Sequence, residues 1–138
     1  MDYSADGYCG LYCGACPMFL GSRAGAEKNP CLGCKSRTVS GWCLTCDIKA
    51  CARNKGLEFC YPCEKYPCEK MEGFKNAKEY PYHQEVYDYL ETIKKEGKAA
   101  WLASMRTRWS CPSCHREASW WDLSCKNCGS KLDGYSKP

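Results

Sequence analysis

At 138 residues the chain can hold one ordinary domain or two small ones, but two isoleucines, two valines and nine leucines exclude a conventional aliphatic core. Fifteen cysteines, about 11% of the chain, supply the alternative, because a domain this poor in branched apolar residues needs covalent or metal staples. The formal charge of +4 excludes nothing and supports no nucleic-acid argument: a four-cysteine zinc site carries about −2, and three such sites would take the chain from +4 to about −2.

Metal and disulfide chemistry compete for these cysteines, and three features favour metal. The count is odd, six pairs are spaced Cys-x2-Cys (13/16, 31/34, 43/46, 60/63, 111/114 and 125/128), and residues 1–6 are polar, unlike an export signal. No segment approaches the roughly 18 apolar residues of a membrane span. The expectation is a cytoplasmic protein with reduced thiols and no membrane association, in which such pairs are ligands or redox centres.

Residues 8–17 open the chain with Cys9, Cys13 and Cys16, a Cys-x3-Cys-x2-Cys cluster. On a continuous helix Cys9 and Cys16 would stand about 10 Å apart along the axis, so a shared ion requires a folded loop, which Gly10 and Gly14 permit. The same spacing occurs in radical S-adenosylmethionine enzymes, but this chain is too short for the partial barrel they need. A zinc ion or an iron–sulfur cluster on these three thiolates remains open. Pro17 suits the first position of a short helix through Met18, Phe19 and Leu20, broken at Gly21, whose N-terminus would favour the Cys16 thiolate.

From Cys31 to Cys68 the pattern Cys-x2-Cys-x4-Cys occurs twice: Cys43, Cys46 and Cys51 recur 17 residues later as Cys60, Cys63 and Cys68, entered by Trp42 and Phe59. The most economical pairing joins Cys31 and Cys34 to Cys43 and Cys46, places Cys51, Cys60, Cys63 and Cys68 in a second site, and leaves Cys9, Cys13 and Cys16 one ligand short. Interleaved pairing fits the same counts, and Cys46 and Cys51 do not share a helical face.

Residues 69–80 are charged and partly helical in pattern, with Met71 and Phe74 as a small apolar face. Pro81 starts the clearest helix, carrying Val86, Leu90 and Ile93, with Gly97 at its C-cap; a second helix over residues 98–106 presents Trp101, Leu102 and Met105. These stripes predict packing against a metal-bound core, and His83 is the best candidate outside cysteine for a missing ligand.

Cys111 and Cys114, then Cys125 and Cys128, are two knuckles ten residues apart, and they predict a zinc-ribbon β-hairpin with one four-cysteine site and Gly129 closing the second turn. Trp120 and Trp121 lie inside the hairpin, so one can cover the site while the other faces outward as a contact for a protein or a nucleobase. The fold class expected is a small metal-stabilised α+β protein: an irregular zinc-knuckle domain with helices over residues 1–108, followed by the ribbon over residues 109–138.

The order Cys9-Gly10-Leu11-Tyr12-Cys13-Gly14-Ala15-Cys16, Cys31-Leu32-Gly33-Cys34, the Cys43, Cys46 and Cys51 set, and residues 60–68 resembles a family of small cysteine-rich bacterial and archaeal proteins of unknown function, described as zinc-binding. The resemblance spans about residues 8–102; it implies metal and implies no activity. All fifteen cysteines are therefore candidate ligands, for three or four zinc ions, with an iron–sulfur cluster as the alternative at Cys9, Cys13 and Cys16. The expected role is a non-enzymatic, metal-stabilised interaction or adaptor protein with a protein partner, and nucleic-acid contact through the ribbon is open. Two other readings stand beside it: thiol or iron–sulfur redox chemistry at the N-terminal cluster, and zinc buffering or delivery.

Overall fold

Val86, Tyr89, Leu90 and Ile93 recur at helical spacing and bury one face of a helix, α4 (Val86–Glu96). Gly97 ends it, and α5 (Lys98–Arg108) turns back along it, burying Trp101 and Met105. Three shorter helices precede this hairpin in a computed structural model that describes residues 3–138, apart from the side chain of Trp42: α1 (Pro17–Arg23), α2 (Asp47–Asn54) and α3 (Glu69–Lys75). The aromatic entry of the first repeat at Trp42, and the first two residues of the polar N-terminus, lie outside the described residues.

Each of these three begins directly after a cysteine: Cys16, Cys46 and Cys68 are the N-cap residues, all with extended backbone. Helix α1 runs through Gly21 to Arg23 instead of stopping at the glycine. Helix α2 has no counterpart in the sequence reading, and it divides the two cysteine repeats. Cys46 to Cys51 enters a helix, whereas Cys63 to Cys68 is a turn-rich loop leading up to α3. The 17-residue repeat is one of spacing and not of structure.

The core is aromatic and sulfur-rich. Phe19 is buried beside Tyr3, and Met71, Val86, Leu90 and Trp101, all fully buried, join Tyr12, Ile48, Phe59, Phe74 and Trp120 in one cluster reaching from the N-terminal loop across α2 to α5 to the C-terminal segment. Gly10 allows that loop to lie on α4: its φ is +87°, and a Cβ there would stand 2.7 Å from Leu90 Cγ. Asp6, 4% exposed, fixes the loop from the other side by accepting hydrogen bonds from Lys35 Nζ (2.6 Å) and Ser4 Oγ (2.8 Å), with the Lys35 ammonium 3.8 Å from the Phe59 ring centre.

The expected α+β class is overturned, because among the described residues there is no β-strand and the fold is helical. Only isolated antiparallel bridges occur: Asp6 with Tyr12, Ser110 with Glu117, and Ser124 with Lys131. The physical reason lies in where the backbone hydrogen bonds go. Around Cys111 and Cys125 they close tight turns, and between the knuckles Asp122 turns back on Ser119 (2.9 and 3.0 Å) while Trp120 N–H donates to Ala15 O (3.1 Å). Ala118 N–H to Trp109 O (2.8 Å) and Leu132 N–H to Leu123 O (3.0 Å) add a bond beyond each turn, but the pairing does not continue into a ladder, so among the described residues no zinc-ribbon β-hairpin forms. Among the described residues no helix is long and apolar enough to cross a membrane.

Candidate metal centre

The two C-terminal knuckles repeat each other bond for bond. Cys111 N–H donates to Arg116 O (2.9 Å) and His115 N–H to Cys111 O (2.8 Å); fourteen residues on, Cys125 N–H donates to Ser130 O (2.7 Å) and Gly129 N–H to Cys125 O (2.9 Å). Each turn needs a left-handed residue directly after its second cysteine, and His115 (φ 66°) and Gly129 (φ 80°) occupy those places. Gly129 was expected to close the second turn, and His115 stands at the matching place directly after the first knuckle, where glycine is common. The shared position after each Cys-x2-Cys was the signal available.

These turns bring the Sγ atoms of Cys111, Cys114, Cys125 and Cys128 within 4.8 Å of one another. Across the knuckles, Cys111 Sγ lies 3.5 Å from Cys128 Sγ and Cys114 Sγ 3.6 Å from Cys125 Sγ. Zn–S bonds of about 2.3 Å place tetrahedral sulfurs roughly 3.8 Å apart, so the donor set fits a four-coordinate ion with little rearrangement. Cys111 and Cys125 are buried, Cys114 is half-buried and Cys128 is exposed. The backbone N–H of Cys114 lowers the Cys111 thiol to about 6, against the effect of burial, and a hydrogen bond from Asn127 lowers the Cys114 thiol. Asn127 N–H points at Cys125 Sγ (3.4 Å), and Ser130 Oγ links Cys128 Sγ (3.3 Å) to Ser113 Oγ (3.0 Å). Four thiolates this close repel one another unless a cation sits among them, and four protein ligands leave no open position for a substrate.

The loop between the knuckles is seated on the helical body. Trp120 stacks on Tyr82 with ring centres 3.8 Å apart at 10°, and Trp121 meets the same ring edge-on at 5.3 Å. Tyr135 donates to Glu85, which also accepts two hydrogen bonds from Arg108 (3.0 and 2.7 Å). Both indoles are therefore spent on Tyr82. The protein or nucleobase contact expected of a ribbon loses its β-hairpin and its outward tryptophan together, and that assignment is withdrawn.

The eleven other cysteines behave differently. Among the described residues the C-terminal set is the only group of His, Cys, Asp or Glu whose ligand atoms converge. This overturns the count of three or four ions and the iron–sulfur cluster on Cys9, Cys13 and Cys16. Those three stand on separate pieces of backbone: a loop, a 3-10 turn (Cys13–Ala15) and the cap of α1. Burial, followed by the charge of Cys34, raises the Cys9 and Cys13 thiols well above their ordinary range. Burial also raises Cys16, outweighing the N–H groups of Phe19 and Met18 that were expected to favour its thiolate.

Cys31 and Cys43 share a hydrogen bond that lowers Cys31 to about 5 and raises Cys43, and burial raises Cys34. Cys51, Cys60, Cys63 and Cys68 line one cavity beside Lys55. His83, the reserve ligand, is instead a core residue, 6% exposed, stacked on Phe74 at 3.6 Å with Nδ1 3.0 Å from Phe74 O.

A family described as "Protein of unknown function (DUF3795)" matches residues 5–73, which is half of the chain. The match takes in Cys9 to Cys68 and stops well short of the four converging cysteines; it is narrower than the 8–102 resemblance, and no ribbon stands behind it. No curated protein and no solved structure matches the chain.

Proposed function

The chain belongs to this family of unknown function, and from that premise we propose that it is a non-catalytic zinc protein whose ion, held by Cys111, Cys114, Cys125 and Cys128, fixes the C-terminal segment on the helical body. One observation carries the reading: four sulfurs from two equivalent turns, with cross-knuckle separations of 3.5 and 3.6 Å, match the spacing of a closed tetrahedral site. Closed thiolate sites provide folding energy and offer no position for chemistry. The energy is delivered where it is needed, since residues 119–122 make few backbone bonds among themselves yet carry Trp120 into the core. Fifteen unpaired thiols support a reducing compartment such as the cytoplasm as its place of work.

Cobalt substitution tests the assignment. One equivalent of Co2+ added anaerobically to metal-free protein should give the visible absorption of a tetrahedral thiolate site, and Zn2+ should displace it. Cys111→Ser and Cys128→Ser should remove it. Iron in the same four sulfurs would show as strong visible colour in the protein as purified and would replace zinc in the assignment.

A further inference from the structure

A second group of sulfurs lies far from the first in sequence and has a different character. Helix α2 and the loop after it enclose a cavity of about 460 Å3 lined by Cys51, Lys55, Cys60, Cys63 and Cys68. Lys55 caps the C-terminus of α2, four residues after Cys51, and its ammonium donates to Cys63 Sγ at 3.0 Å. Cys60 and Cys63 are joined by a turn, with Cys63 N–H donating to Cys60 O (3.0 Å), and Cys60 N–H is anchored on Tyr8 O (3.0 Å). Such a turn holds its first and fourth Cα atoms less than about 7 Å apart, a separation from which a disulfide can close.

The geometry points to Cys63 as a nucleophilic thiolate that reacts with small-molecule disulfides, with Cys60 as the resolving thiol. Cys63 is half-buried at the cavity wall, and its charge faces an exposed ammonium. Lys55 lowers the Cys63 thiol, assisted by the backbone N–H groups of Lys65 and Tyr66; burial, followed by the nearby Cys68 and Cys51, pushes Cys60 up to about 12. One sulfur is thus ready to attack and its neighbour is held protonated in reserve.

In the first step the Cys63 thiolate attacks one sulfur of a disulfide RS–SR. The RS–SR bond breaks, a Cys63–SR mixed disulfide forms, and RS⁻ leaves. In the second step Cys60 gives up its proton and attacks Cys63 Sγ; the mixed disulfide breaks, the Cys60–Cys63 bond forms, and the second thiol leaves as RSH. The protein is oxidised by two electrons and RS–SR is reduced to two thiols.

The test uses the reduced full-length protein with glutathione disulfide under anaerobic conditions, quenched in acid, alkylated and mapped by mass spectrometry. The wild type should form the Cys60–Cys63 disulfide first. Cys60→Ser should accumulate glutathione on Cys63, and Cys63→Ser should leave Cys60 unmodified over the same time. Lys55 is exposed, so Lys55→Met should fold normally. Without the Lys55 ammonium the thiolate fraction of Cys63 falls more than its nucleophilicity rises, so Lys55→Met should react more slowly than the wild type at neutral pH. At alkaline pH, where both thiols are ionised, the order should reverse, because the variant's thiolate is the more basic nucleophile; a merely structural role for Lys55 would not produce that crossover. First modification at any other cysteine, a rate no faster than that of the urea-unfolded chain, or reaction that begins only after a chelator strips an ion from these sulfurs would overturn the proposal. Zinc content at Cys111 is read separately in the same samples, so this inference and the proposed function fail independently.

Discussion

Replacing Asp6 by Asn tests how the N-terminal loop is held. The carboxylate is 6% exposed and sits 2.6 Å from a Lys35 ammonium that is 13% exposed, so the substitution keeps the shape and leaves a nearly buried cation without its main partner. Breaking a buried pair on one side costs about 3–5 kcal/mol. Here Glu58, 3.9 Å from Lys35 Nζ but largely exposed, and the ring of Phe59 at 3.8 Å recover part of that, which brings the expected loss to about 2–3 kcal/mol. An unfolding entropy of about 2.1 cal/mol/K per residue makes this a fall of about 7–10 °C in Tm for a chain of 138 residues. Thermal and urea unfolding, with metal content matched between samples, read it directly. Adding Lys35→Met should recover more than half of the loss. A single-variant shift below about 2 °C, or a double variant no more stable than Asp6→Asn, would refute the assignment of this pair as a clamp.

Three further outcomes follow from particular residues. Burial lowers His83 to about 4 from its ordinary 6.5, so the unfolded chain binds the proton more readily; the stability held by the neutral ring is complete above pH 6.5 and lost as pH falls toward 4. Urea titrations should show a loss of roughly 2 kcal/mol across that window, and His83→Phe should flatten this part of the profile. Gly129→Ala should cost about 1–2 kcal/mol and weaken metal retention against a chelator, because the left-handed turn that closes the second knuckle then carries a Cβ. His115→Gly at the matching position should be neutral or stabilising in the same assay. Tyr82→Ala should expose the indole of Trp120, seen as a red shift in tryptophan emission, while leaving metal content unchanged.

The helical half of the fold was legible because it follows from periodicity. Val86, Leu90 and Ile93, then Trp101 and Met105, mark α4 and α5, and all five are buried. Met71 and Phe74 likewise form the buried face of α3. Helix α2 was hidden because its stripe is interrupted by polar and cysteine positions, leaving Ile48 and Ala52 as its only buried residues. The four-cysteine centre was legible from Cys-x2-Cys spacing, since a short turn determines where its two sulfurs go. The ribbon was not: whether the residues between two knuckles pair as strands depends on competing bonds, and Ala15 and Asp122 win that competition. Among the first eleven cysteines spacing left the ligand sharing open, since the partition into two sites of four and one of three and an interleaved pairing fit the same counts. The Lys55 contact with Cys63 needed the fold, although the four-residue step from Cys51 to Lys55 on one helix edge was in view.

Metal counting on protein purified anaerobically without added ions bears most directly on the central claim. Elemental analysis of the wild type beside Cys111→Ser and Cys128→Ser should show each variant losing one zinc per chain, because both substitutions break the same tetrahedral site. Equal zinc in all three proteins, or none in the wild type, would contradict it.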